Sequence, residues 1–145
     1  MRITGDDTVV PVPDRINRAA FRPNANGLSV WVAAHKYPWW GVRGDSVASR
    51  QPYTLLSRLD FGAHGDLAAQ SQAALQGYHF DLLDVDGNHA WVESNGPYGM
   101  LTLDVTDAAH PIVDFAARTL GYLSRIVVHE DHVYSPMGWY GVHRY

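Results

Sequence analysis

GYHFDLLDVDGNHAWV, Gly77 to Val92, has a near twin further along the chain, GYLSRIVVHEDHVYSP, Gly121 to Pro136. Each opens on Gly-Tyr, runs through an apolar segment, meets a polar turn and resumes with an aromatic between small or β-branched residues. Asp86-Gly87-Asn88 is hairpin chemistry, because an Asp-Gly pair supplies the positive φ that a tight turn between two strands needs. The first copy therefore reads as an antiparallel pair, about Tyr78 to Val85 and about His89 to Ser94. Asn95-Gly96-Pro97 stops the second strand, since neither Gly nor Pro comfortably continues a ladder. A third strand follows at about Gly99 to Val105. After the turn TDAAHP comes a fourth, at about Ile112 to Ala117.

The echo extends over most of the chain. Trp91 in HAWVES and Tyr134 in HVYSP lie about 43 residues apart, and an earlier aromatic, Trp31 in SVWVAA, precedes Trp91 by about 60, so the unit recurs at a propeller-like period. Strand-start glycines follow each aromatic: Gly41, Gly99 and Gly141. An Asp-to-Pro stretch appears twice, Asp45 to Pro52 and Asp104 to Pro111. Four antiparallel strands repeating every ~40–45 residues describe the blade of a β-propeller. The fold expected is all-β, about three such blades, in one partial propeller spanning 1–145. Blade one covers 15–62, blade two 77–118 and an incomplete blade three 119–145. TVVPVP, within 8–13, is a candidate closing strand for blade three.

The spacing between the first two copies is longer by about 17 residues than the later one, which breaks the simple period. The surplus is assigned to 63–76, AHGDLAAQSQAALQ. Asp66 suits an N-cap, the interior is Ala, Leu and Gln, and Gly77 suits the C′ position, so a short helix is expected over 66–76.

Composition agrees with a globular chain: 46% of residues are hydrophobic and 18% charged, with a net charge of −4. That balance carries no basic stripe for nucleic acid. No apolar run approaches the ~20 residues of a membrane-spanning helix, and the first residues, MRITGDDTVV, have no apolar signal-peptide segment. The chain has no cysteine, so thiol catalysis and thiolate metal sites are excluded. Five Trp, eight Tyr and thirteen Gly favour strands and tight turns.

The middle copy, through GPYGMLTLDVTDAAHPIV, resembles LVIVD-type propeller repeats: a Gly-Tyr start, a Gly-Asn turn, an aromatic strand, then a glycine and an Asp-Val-x-Asp stretch ending in proline. The resemblance covers about Leu28 to Tyr145 in patches and departs from the pattern at Gly44-Asp45-Ser46-Val47. It implies a propeller, with an extracellular or cell-surface location common in the family, and it implies no single activity.

Blade topology puts the connections between second and third strands on one face of the disc. Here these are HKYPWWG, ESNGPYG and SPMGWYG, which carry Tyr37, Trp39, Trp40, Tyr98, Trp139 and Tyr140. Trp39 and Trp139 stand one residue further from the strand glycines and are the better contact residues; Trp40, Tyr98 and Tyr140 adjoin the glycines. A protein or carbohydrate ligand stacking on this face is the leading functional expectation, with a non-catalytic role, no cofactor and no metal. Further blades, from this chain or from a second copy forming a homodimer, would complete the ring. The rival is a hydrolase or lactonase-like enzyme with a channel-mouth site around His79 and Asp81, with Asn17 as a further candidate. Asp81 is also expected to meet Arg125 at a matching height on the next inner strand, either as an inter-blade salt bridge or as a ligand-contacting pair.

Other polar clusters read as turns. Asp104, Asp107, Asp84 and Asp86 suit backbone-capping roles. His129-Glu130-Asp131-His132 sits in a hairpin, where paired imidazoles diverge. DVDGNH lacks the spacing and terminal Glu of a calcium loop, and no nucleophile elbow, Walker loop or dinucleotide fingerprint occurs.

Overall fold

The computed structural model describes residues 16–36, 52–76, 79–94, 99–121, 123 and 125–145. They form eleven strands in three antiparallel sheets. The first sheet is a meander of β1 (Ile16–Asn24), β2 (Gly27–Lys36), β3 (Tyr53–Gly62) and β4 (Leu67–Gln76). The second repeats the meander with β5 (Phe80–Asp86), β6 (His89–Ser94), β7 (Gly99–Asp104) and β8 (Ile112–Arg118). The third has β9 (Val127–His129), β10 (His132–Pro136) and β11 (Val142–Arg144), with β10 central. The all-β expectation and the three successive antiparallel units are present. Among the described residues no sheet is closed, and no helix is long and apolar enough to cross a membrane.

The expected helix is a strand. β4 pairs along its length with β3, Leu67 opposite Phe61 and Gln76 opposite Tyr53. Leu67 to Gln70 are all exposed, and from there LAAQSQAALQ alternates: Ser71, Ala73 and Leu75 face inward while Gln72, Ala74 and Gln76 are exposed. Period-two burial outweighs the helical propensity of Ala and Gln, which amounts to a few tenths of a kcal/mol per residue. Asp66, expected to cap a helix, instead helps close the β3–β4 turn: its carbonyl accepts from the Gly62 N–H at 2.9 Å. Gly65 in the same turn has φ 85°, a left-handed conformation that glycine adopts without steric cost.

This moves the surplus length. Tyr53–Gly62 is the third strand of its sheet, not the fourth, because it pairs directly with β2 from Gly27↔Gly62 to Lys36↔Tyr53. Asp45 to Pro52 therefore belongs to the connection before the third strand and is not the counterpart of Asp104 to Pro111. Gly41, read as a strand start, and the candidate closing strand in 8–13 lie outside the described residues.

Two apolar cores join the three sheets. Ala20, Trp31, Ala33 and Leu56 of the first sheet pack with Leu82, Ala90, Val92 and Leu103 of the second. On the other face of the second sheet, Trp91 and Met100 pack with Leu123, Ile126 and Met137, flanked by Val128 and Val133 of the third. Alternation along β6 is what allows this. Ala90 and Val92 point one way and Trp91 the other, so a single strand serves both cores. Fully burying a side chain such as Leu82 or Leu103 contributes roughly 1.5–3 kcal/mol. The sheets are also tied by polar contacts, notably an ion pair between Arg22 of β1 and Asp84 of β5. Asp84 is thus an inter-sheet group as well as a neighbour of the hairpin.

The hairpins are in register. Trp91 and Tyr134 each stand two residues past the first residue of their strand, and Trp31 stands four past Gly27. All three have the same facing parity. Trp31 faces the second sheet and Trp91 faces the third. Tyr134 alternates with Val133, which packs toward the second sheet, so Tyr134 lies on the outer face of the third.

Candidate functional site

The start of β5 meets the ends of β2 and β6 at the end of the stack from which the second-to-third-strand connections leave. Thr54, wholly buried at the start of β3, accepts the Phe80 N–H on its hydroxyl at 2.8 Å and fixes β5 against the first sheet. His35, in the last turnless residues of β2, brings its Nε2 to 3.3 Å from the Phe80 carbonyl oxygen and 3.3 Å from Asp81 Oδ1. Its ring stacks on His79, with centroids 4.6 Å apart and planes 21° apart. Burial holds the His79 imidazole below its ordinary pKa; the neighbouring His35 adds to this and Asp81 opposes it. The physical causes are loss of water around a cation and repulsion between two imidazolium rings.

Glu93 extends this group. It projects from β6 with 3% of its surface exposed, and its Oε1 accepts the Leu123 N–H at 2.7 Å. That bond joins the second sheet to the segment leading into β9. Burial raises the Glu93 pKa; the Leu123 N–H works against the rise, Asp81 adds to it, and Arg18 on β1 lowers it. Arg18, His35, His79, Asp81 and Glu93 therefore act on one another through space across both sheets. Among the described residues, no three carboxylates or imidazoles are grouped so as to hold a metal ion. What the arrangement offers is a buried acid, a second acid and a stacked imidazole pair, suited to hydrogen-bonding a polar ligand or to moving a proton.

The sequence points to His79 and Asp81, and the fold brings these two together. It does not single out His35, Glu93 or Arg18. A signal for two of them exists: in VWVAAH and AWVE, an otherwise apolar strand ends in an ionisable residue a few positions after its tryptophan. Arg125 does not meet Asp81. Its side chain is exposed and its carbonyl accepts the Ser135 hydroxyl at 3.2 Å, while His35 lies 3.3 Å from Asp81. The hairpin expected at His129 to His132 is present, with Glu130 at φ 51° in a two-residue turn, but the two histidines pair directly, which places them on one face of the sheet instead of diverging. Asp104 and Asp107 cap backbone N–H groups of Thr106 and Ala109 at 2.8 and 3.0 Å. Those bonds hold both carboxyls below the usual carboxylate range, Asp107 chiefly through His110.

Of the aromatic loop residues, Trp139 and Tyr140 are described. Both lie on a single turn of 3₁₀ helix, Gly138–Tyr140, directly after β10. Met137 anchors the turn by burial in the second core, while Trp139 is fully exposed and Tyr140 is 60% exposed. Tyr37, Trp39, Trp40 and Tyr98 lie outside the described residues, as does the Asn17 side chain. No family model matches the chain, and neither the curated proteins nor the solved structures contain a match.

Proposed function

We propose that this chain is a segment of a β-propeller of the LVIVD-repeat type, acting as a non-catalytic binding module through the end that carries Trp139. The observation that carries this reading is Trp139 itself. A full indole surface held out on a short, anchored turn offers a rigid stacking face, and an aromatic side chain gains much from burial against a ligand. Tyr140 widens the same patch, and the polar group of His35, Asp81 and Glu93 lies at the same end of the stack. Ligands that fit are a sugar face or an apolar side chain of a protein, stacked on the indole.

The binding reading is tested on arrays of glycans and peptides probed with the intact chain and with Trp139→Ala. A saturable interaction that weakens at least about tenfold in the variant is expected, as for a central aromatic anchor. Absence of any saturable interaction, or one indifferent to the substitution, rejects it.

Further blades are the second part of the reading. The outer face of the third sheet presents Tyr134 where the other two sheets cover the equivalent aromatic with a neighbour. Val127, paired across from Tyr134, is 51% exposed. A blade buries its faces only by stacking, so this face takes another sheet, from the same protein or from a second copy.

A hydrolytic role is favoured by one observation, the convergence of His35, His79, Asp81 and Glu93. It ranks second because His35 and Glu93 are committed to structural hydrogen bonds. Hydrolysis of a simple ester or lactone by the intact chain, abolished in Asp81→Asn, would move it to first.

A further inference from the structure

At the opposite end of the stack, the β5–β6 and β9–β10 turns flank a cleft of about 530 Å³ between the second and third sheets. Three aromatic residues wall it: Trp91 of β6, Phe115 of β8 and Tyr145 after β11. Four acidic residues line it as well, Asp86, Asp114, Glu130 and Asp131, and no lysine or arginine is among the described lining residues. Phe115 remains 50% exposed although it faces a cavity large enough to hold a small molecule, within the usual ~300–1,000 Å³ range. The Tyr145 hydroxyl is buried and has no hydrogen-bond partner, so that a donor and an acceptor function are unmet beside the aromatic wall.

We propose that this cleft binds an organic cation, an ammonium or guanidinium group carried on an apolar stem. The two kinds of lining residue ask for the two halves of such a molecule. Aromatic faces carry negative quadrupole density that attracts a weakly hydrated cation and also bury its stem. Carboxylates around an open cleft of one sign concentrate positive charge there. The basic side chains among the described lining residues are imidazoles: His89 Nε2 lies 3.9 Å from Asp114 Oδ2, and His132 follows Asp131. A bare divalent ion suits the site less, since the acids are spread around the cleft and not grouped as ligands. The cation comes either from a free amine or from a lysine or arginine side chain of another protein, and the chemistry of recognition is the same.

The test is a titration of the intact chain, followed by calorimetry and by the indole N–H resonance of Trp91. Three probes are used: benzyltrimethylammonium, benzyl alcohol as its uncharged counterpart, and an acetylated Ala-Arg-Ala amide. The expected result is saturable binding of at least one cation, with benzyl alcohol at least about tenfold weaker. Asp114→Asn combined with Glu130→Gln should weaken the cation at least about tenfold. These are exposed side chains, so an unchanged melting temperature checks that the fold is kept. Tighter binding of the peptide marks a protein side chain as the source, and tighter binding of benzyltrimethylammonium marks a free amine. Failure to saturate by about 10 mM, equal binding of benzyl alcohol, or indifference to the double variant overturns the proposal. The Trp139 reading stands or falls separately, because Trp139 lies at the other end.

Discussion

The second and third sheets begin from nearly the same sequence and end in different surroundings. HAWVES in β6 is buried at every position but the first, whereas HVYSP in β10 is buried only at Ser135. Both strands pair on two sides within their own sheets. The difference is stacking. Among the described residues, the second sheet packs against a neighbour on both faces, and the third on one face only. Burial in this molecule is thus a property of the sheet's position in the stack, and the repeat supplies a surface whose use depends on what comes next.

The comparison is most sharply broken by cutting the same aromatic in each sheet. Trp91→Ala should destabilise the fold by about 3–5 kcal/mol, the usual cost of removing a buried large aromatic, measured by denaturant unfolding. Tyr134→Ala, at the matching strand position, should cost less than about 1 kcal/mol in the isolated chain. Comparable losses at the two positions would mean that the outer face of the third sheet is already covered. If a further sheet does cover it in an assembly, Tyr134→Lys should lower the mass seen by sedimentation without lowering monomer stability.

Glu93 gives the next largest effect, because it links the two sheets being compared. Glu93→Ala strands the Leu123 N–H in a buried place and should cost about 1–3 kcal/mol. Glu93→Gln keeps an acceptor and removes the buried charge, so it should be neutral or stabilising at pH 7. The sign follows from its raised pKa: in the window above the ordinary value of 4.5, the folded chain holds more protons than the unfolded one. Stability from this group is therefore greatest below that value and falls as pH rises through the folded pKa. His79 acts oppositely. Its pKa is lowered from 6.5, so its contribution is complete above that value and is lost as pH falls through the folded pKa. Unfolding curves of the parent chain, Glu93→Gln and His79→Asn across pH 4–8 separate the two, each variant removing one slope.

The smallest effect expected is at the outermost strand of the covered sheet. Phe115→Ser on β8 should change stability by no more than about 0.5 kcal/mol, as at other exposed positions. A large loss would show that β8 is packed by a partner in solution.

Much of the fold is legible in the sequence because its signals are local. Asp86-Gly87-Asn88 and Glu130-Asp131 mark hairpins through backbone geometry, and the spacing from Trp91 to Tyr134 carries the repeat. The fourth strand of the first sheet is not legible by the same means. Alanine and glutamine between Leu67 and Gln76 favour a helix by propensity, and only pairing with β3 overrides that preference. A helix at this place puts the extra length after β3, whereas it lies before β3. The polar group at the strand ends is half legible. His79 and Asp81 stand out because they are polar residues at the start of an otherwise largely apolar strand. His35, Glu93 and Arg18 come from three other strands, and their meeting depends on how two sheets stack, which no short window of sequence encodes. Arg125 shows the reverse error: it precedes β9, outside any strand, with its side chain turned to water.

One feature of the stack gives it a direction. Trp31 looks toward the second sheet, Trp91 toward the third, and Tyr134 onward in the same sense, so the two terminal faces are chemically unlike. Growth by adding copies would be head-to-tail, with every junction of one kind. Whether such an assembly ends as a ring or runs on as a fibre depends only on the angle turned at each junction. A substitution that adds a large apolar group to one terminal face would therefore risk polymerisation instead of simple pairing.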